Sequence, residues 1–210
     1  MRWKIRWTTE TVFLISGLLI VLLGWVSDLI GALNGELGAG QHGAGDILSR
    51  IWFTFFGLLF VAGGTAYEQP WRLLNDSKFA KRYFVSLLFF ADGAFHLYAF
   101  NDHLNESAIE ALYFAVLAPA QFTFGLIISQ LPPRYDPYIL AWPAFLLGLL
   151  ALALFVPIWP LSTIEDLYSL TVVSKLVEVL TVIVLLSLMR DDGTLNWRTI
   201  KGAVMPLSER

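Results

Sequence analysis

Hydrophobic residues along the chain fall into six long blocks that are separated by short polar connectors. Each block approaches the roughly 20 mostly apolar residues that a helix needs to cross about 30 Å of hydrocarbon. The pattern therefore predicts an all-α fold, a polytopic membrane helix bundle that forms one integral membrane domain over residues 1–210. The six predicted transmembrane spans are residues 12–33, 51–67, 83–100, 109–131, 138–158 and 167–189.

Composition agrees with a place in the bilayer. Of the 210 residues, 57% are hydrophobic and 15% are charged, whereas about a quarter of a soluble domain is charged. The formal net charge of -3 is too small to indicate a nucleic-acid partner. We therefore expect the lipid bilayer as the partner, with other membrane subunits as a further possibility. The lack of cysteine excludes disulfides, thiolate metal sites and cysteine nucleophiles.

Basic residues predict how the spans are oriented. Twelve of the 14 lysines and arginines lie on the side that holds both termini. Because basic residues accumulate in cytoplasmic loops, we expect the N and C termini to be cytoplasmic in a multi-pass protein of the plasma or inner membrane. The first block is about twice as long as a signal-peptide core, so it predicts a retained helix; a cleaved signal followed by five spans is the alternative.

Five polar side chains inside the predicted spans form a candidate intramembrane network. Such groups are costly in lipid and usually face the protein interior, a cavity or a partner. A rise of about 1.5 Å per residue places Asp92 and Lys175 at the same depth, which predicts an ion pair that Glu178 could share. The pair would either fix the helix register or relay a proton. The members are Asp28, Asp92, Gln121, Lys175 and Glu178.

One face of the third predicted span carries candidate metal ligands. Asp92, His96, Ala99, His103 and Glu106 recur at steps of four, three, four and three residues, which places them on one face if the helix continues past Asn101. Imidazole and carboxylate ligands suit copper or zinc, so His96, His103 and Glu106 predict a partial metal site. Solvated residues at the membrane interface are the alternative. The further ligands would come from connectors that hold Glu36, His42, Asp46, Glu165 and Asp166.

Haem and catalysis receive little support from the sequence. Membrane haem is usually held by histidines from two facing helices, but His96 and His103 lie about 10.5 Å apart along one predicted helix, so haem is not expected. The chain has no GxSxG, HExxH or phosphate-binding glycine motif, so we do not expect an enzyme. Three glycines of the second span, Gly57, Gly63 and Gly64, predict close helix packing.

The segment GAFHLYAFNDHLNE at residues 93–106 resembles a group of small, uncharacterised polytopic membrane proteins of bacteria and archaea. The shared pattern is a histidine, a second histidine seven residues on and a glutamate three residues after that. The similarity continues through the second half of the chain, at the proline-rich turn 157–160, at Glu165 and at the late-helix Glu178. The group has no established activity. The resemblance implies that the residues to examine first are His96, His103, Glu106 and Glu178.

Together these patterns predict a membrane protein that binds or passes a cation. The cation would be a transition metal or a proton, taken up at an outward-facing pocket of histidine and carboxylate side chains between the first, third, fourth and sixth spans. The competing hypothesis is a non-catalytic accessory or scaffold subunit of a larger membrane complex, in which the buried charges only fix helix packing. An enzyme that uses a metal and histidine to activate water comes third.

Overall fold

The computed structural model describes residues 7–34, 44–104, 107–156 and 169–195. The described residues form seven α-helices and a short 3-10 helix, Pro133–Tyr135, and contain no strand. This confirms the all-α prediction for the described part of the chain. The helices are α1 (Thr9–Leu33), α2 (Ala44–Glu68), α3 (Pro70–Asn75), α4 (Ser77–His103), α5 (Ala108–Ile127), α6 (Asp136–Ala153) and α7 (Ser169–Asp191).

Six of these helices are long and apolar enough to cross a membrane, and only α3 is too short. Four helix boundaries differ from the predicted spans by four residues or more. Helix α2 begins at Ala44 rather than at residue 51, and α6 ends at Ala153 rather than at residue 158. Helix α4 begins at Ser77 rather than at residue 83, because the Asp76 side chain caps it by accepting a hydrogen bond from the Phe79 amide. Helix α5 ends at Ile127 rather than at residue 131, shortly before two prolines that cannot continue it. The predicted limits 158 and 167 lie outside the described residues.

Helix α4 is the centre of the bundle. It packs against α1, α2, α5 and α7, while α6 packs against α7. In its most apolar stretch 67% of the residues are buried, against 17% to 33% in the other five spans. A helix that is apolar on all faces is expected to be surrounded by others. One apolar core on α4 joins Val85 and Phe89 to Ile128, Ile139 and Leu185.

Glycines bring α1 and α2 into backbone contact. A Cβ atom added at Gly17 would lie 2.3 Å from the Gly57 carbonyl oxygen, and one added at Gly57 would lie 2.5 Å from the Gly17 oxygen. At Gly64 an added Cβ would lie 2.6 Å from Cβ of Phe13, whereas at Gly63 its nearest neighbour would be 3.7 Å away. The predicted role in close packing is therefore confirmed for Gly57 and Gly64, and Gly63 does not need to be glycine on this ground.

We expect Gly57→Val to force α1 and α2 apart, because its side chain would occupy space that is filled by a backbone carbonyl. Overpacking of this kind costs about 1–3 kcal/mol or more, measurable as a lower midpoint of thermal unfolding in detergent. The matched control is Gly148→Val in α6, where an added Cβ meets no atom within 4 Å. Equal unfolding midpoints for the two variants would refute the backbone contact.

The end of the bundle where α4 begins, here called the basic end, is held by ion pairs. Arg82 Nη2 lies 2.7 Å from Oδ2 of Asp136, a residue with no exposed surface, and Arg82 Nη1 donates to the carbonyl oxygens of Ile128 and Leu131 at 3.2 Å each. Lys78 pairs with Asp192 at 2.7 Å. These bonds join α4 to the segments that end α5, begin α6 and follow α7. The described lysines and arginines of this end include Lys78, Lys81, Arg82, Arg134 and Arg190.

The opposite end of the bundle is held by one buried arginine. Arg50 of α2 is 3% exposed and pairs with Asp28 of α1 at 2.9 Å and with Asp102 of α4 at 2.6 Å. Asn101 donates to the other oxygen of Asp28 at 2.8 Å. The Arg50 guanidinium also lies 5.3 Å from the centre of the Tyr98 ring. This arginine therefore ties three helices together.

Candidate functional site

A cluster of polar side chains lies in the interior of the bundle, where α4 meets α5 and α7. Its carboxylates, imidazole and amide are almost completely buried, with exposed fractions of 2% for Asp92, 4% for His96, 0% for Gln121 and 1% for Glu178. Buried polar groups are costly unless they are hydrogen-bonded. Here called the polar cluster, it consists of Asp92, His96, Gln121, Ser174, Lys175 and Glu178.

Asp92 is held by two neutral donors from neighbouring helices. Gln121 Nε2 of α5 donates to its Oδ2, and Ser174 Oγ of α7 donates to its Oδ1 at 2.7 Å. The ion pair predicted between Asp92 and Lys175 is wrong, because Lys175 Nζ donates instead to Oε1 of Glu178 at 2.6 Å. The two residues are three positions apart on α7, which places their side chains on the same face.

His96 has a defined hydrogen bond within α4. Its Nδ1 lies 2.8 Å from the backbone carbonyl oxygen of Asp92, one turn earlier, and 3.5 Å from Oδ1 of the same residue. A carbonyl oxygen can only accept, so Nδ1 carries a proton. In its neutral form the imidazole therefore has one basic nitrogen, Nε2, inside the bundle.

Three ionisable members of the polar cluster lie close enough to act on a single cation. Asp92, His96 and Glu178 each offer a ligand atom, and these atoms all lie within 4.8 Å of one another. Within the described part of the chain, Oε2 of Glu178 and Oε1 of Gln121 have no hydrogen-bond partner. Such orphaned acceptors are rare in protein interiors and are places where a proton or an ion can bind.

His103, the second predicted metal ligand, lies nearer the end of α4. Its Nδ1 is 3.0 Å from Oε2 of Glu110, and its ring stacks on Phe114 with centroids 5.1 Å apart. The same Phe114 ring lies 5.9 Å from His96. The two histidines therefore contact one aromatic ring but are two turns apart on α4. Glu106 lies outside the described residues, so metal binding by His103 and Glu106 stays a prediction.

Asp28, the remaining member of the predicted network, is separate from the polar cluster. It accepts hydrogen bonds from Arg50 and Asn101 near the far end of α4.

Sequence reasoning also missed Ser174, although it lies four residues before Glu178, a spacing that places both on one face of α7. Nothing in the sequence alone connected Arg50 to Asp28 and Asp102, because the contact depends on how three helices pack.

The charges of the polar cluster do not balance. With both carboxylates ionised and the His96 imidazole neutral, Asp92 and Glu178 carry two negative charges, while Lys175 supplies one positive charge. One negative charge is therefore left over in a nearly solvent-free interior. Uptake of a single positive charge would neutralise the cluster.

No protein-family model, curated protein or solved structure matches this chain. The six long apolar helices are those expected of a multi-pass α-helical membrane protein. The resemblance to a group of uncharacterised polytopic proteins, the cytoplasmic position of both termini and the choice of membrane stay predictions.

Proposed function

We propose that this membrane protein binds a cation, namely a proton, at the polar cluster between α4, α5 and α7. The observation that carries the proposal is the charge balance: two buried carboxylates, Asp92 and Glu178, accompany one ammonium, Lys175. An uncompensated charge at membrane depth costs several kcal/mol. A proton shared by the carboxylates and His96 removes this cost without any further ligand.

Lys175 favours a proton over a divalent metal. Its ammonium lies 2.6 Å from the carboxylate of Glu178, so a metal ion bound to the same carboxylate would be strongly repelled. Zinc or copper(II) would also leave the cluster with one excess positive charge, whereas one proton leaves it neutral. The polar cluster should therefore prefer a singly charged cation.

The proposed route of the proton to the polar cluster starts at the end of the bundle where α4 terminates. His103, paired with Glu110, has 21% of its side chain exposed and lies on the same helix as His96. Phe114 contacts both imidazole rings. A proton taken up by His103 would reach His96 past this ring, and the positive-inside rule assigns this end to the outer side of the membrane.

Infrared difference spectroscopy of the purified protein in nanodiscs tests the charge balance. We expect the wild type to show the C=O band of one protonated carboxyl at neutral pH. Asp92→Asn and Glu178→Gln should each abolish it, because either change leaves one carboxylate for one ammonium. Lys175→Met should double its intensity, because two carboxylates would then need two protons.

Asp191→Asn is the control for these spectra, since Asp191 pairs with Lys81 and is partly exposed at the basic end. It should leave the band unchanged. Elemental analysis of the same samples separates the two cations. A stoichiometric metal that is lost in both His96→Ala and Asp92→Asn, with no carboxyl band, would contradict proton binding.

The second candidate, a non-catalytic subunit of a larger complex, rests on an aromatic surface of α2. Trp52, Phe55 and Phe56 are about half exposed and contact one another at centroid distances of 5.6 to 6.3 Å. Aromatic residues of this kind are enriched at protein interfaces. Pull-down in mild detergent would support this candidate if Trp52→Ala lost a stoichiometric partner while the carboxyl band was absent from the wild type.

A further inference from the structure

A cavity of about 360 Å³ opens at the basic end of the bundle. It lies where the α1–α2 pair and α5 both pack on α4 but hardly touch each other. Its volume falls within the range of small-molecule sites in proteins. It is separate from the polar cluster, since none of the six cluster residues lines it.

The cavity changes from polar to apolar with depth. Its inner wall is formed by Leu14 and Val61 from one side and by Phe90 and Gly125 from the other. These residues lie farther from the helix ends than the polar lining residues do, because α1 and α4 start at this end and α2 and α5 finish there. The polar lining residues nearer the helix ends include Glu10, Gln69, Arg72, Ser129 and Gln130. Such a gradient matches an amphiphile that lies along the membrane normal.

The mouth of the cavity presents two opposite charges that are held apart by one amide. Arg72 Nη1 donates to Oε1 of Gln69 at 3.3 Å, and Nε2 of Gln69 donates to Oε2 of Glu10 at 3.0 Å. The guanidinium lies 4.0 Å from the centre of the Phe79 ring, which fixes its position. The Glu10 carboxylate is fixed in turn by Thr65 Oγ1 at 2.8 Å.

We propose that this cavity binds a phospholipid with a zwitterionic ethanolamine headgroup. The phosphate would lie beside Arg72, because guanidinium and phosphate form strong charge-assisted hydrogen bonds. The ammonium would lie beside Glu10, on the other side of the Gln69 amide, and the first part of one acyl chain would enter the apolar inner part. A purely anionic headgroup would bring its charge towards Glu10 without an ammonium to compensate it, so the site selects against it.

Native mass spectrometry on protein purified from nanodiscs with equal amounts of phosphatidylethanolamine and phosphatidylglycerol tests the proposal. We expect one molecule of phosphatidylethanolamine retained per wild-type chain. Arg72→Gln should lower that retention about tenfold, in keeping with the loss of one charge-assisted bond. Its control is Arg134→Gln, since the Arg134 guanidinium also lies over an aromatic ring, that of Tyr135 at 5.0 Å, but does not line the cavity.

A second pair of variants tests the cavity independently of charge. Ser129→Trp places an indole at the cavity and should displace the lipid, whereas Leu112→Trp on the exposed surface of α5 should not. Equal retention of the two lipids by the wild type, or equal retention by Arg72→Gln and Arg134→Gln, would overturn the proposal. So would full retention by Ser129→Trp. None of these outcomes depends on proton binding at the polar cluster.

Discussion

Replacing Arg50 by methionine should destabilise the protein by about 3–5 kcal/mol, the cost of removing one partner of a buried ion pair. Arg50 is 3% exposed and is shared by two carboxylates, those of Asp28 and Asp102, which are 12% and 11% exposed. Without the guanidinium these two carboxylates would repel each other, and α2 would lose the polar bonds that Arg50 makes to α1 and α4 at this end of the bundle. The measurement is the free energy of unfolding in mixed detergent micelles.

Two further variants define what Arg50 contributes. Arg50→Lys keeps the charge but loses the planar fork that reaches both carboxylates at once, so its stability should fall between wild type and Arg50→Met. Arg190→Met is the control, because the Arg190 side chain is 75% exposed and exposed ion pairs contribute little. If Arg50→Met were no less stable than Arg190→Met, the proposed role of this arginine would be refuted.

Arg82→Met should be comparably damaging at the basic end. Its removal leaves the carboxylate of Asp136, which has no exposed surface, without its cation, and takes a donor from the carbonyl oxygens of Ile128 and Leu131. We expect a loss of about 3–5 kcal/mol. The lost bonds join α4 to α6 and to the end of α5. The yield of crosslinks between cysteines introduced into α4 and α6 should therefore fall together with the unfolding free energy.

The double variant Arg82→Met with Asp136→Leu separates a stranded charge from general damage. Replacing both members of a buried pair by apolar residues is often close to neutral, so the double variant should regain most of the stability that Arg82→Met loses. Arg134→Met, at the same end but exposed beside Tyr135, should have little effect. A double variant as unstable as Arg82→Met would contradict this account.

The helices could be predicted because the signal for a span is local. A block of about 20 apolar residues is visible in the sequence without knowledge of any partner, and all six predicted spans are matched by long apolar helices. The differences lie at the helix boundaries. Asp76 starts α4 earlier than apolarity indicated, and α3 is too short for a hydrophobic pattern to predict it.

The polar cluster could be predicted only in part. Asp92, Lys175 and Glu178 stand out because charged residues are rare in apolar blocks. Depth along the helix put Asp92 level with Lys175, one residue from Ser174, which bonds to Asp92 in the structure. Rotation about the helix axis was not determined by depth. In the structure it turns Ser174 towards Asp92 and leaves Lys175 with Glu178.

The sequence by itself determined that this chain is a bundle of apolar helices and which of its residues violate that environment. Both properties follow from the free energies of transfer of individual side chains between water and lipid, which depend on residue type, and from the spacing of those residues along the chain. Only the tertiary structure decided the contacts between helices: Asp92 with Gln121 and Ser174, Arg50 with two aspartates, and a cavity between α1, α2, α4 and α5. Those pairings depend on helix rotation and on close approach at residues such as Gly17 and Gly57, which packing of the whole bundle fixes.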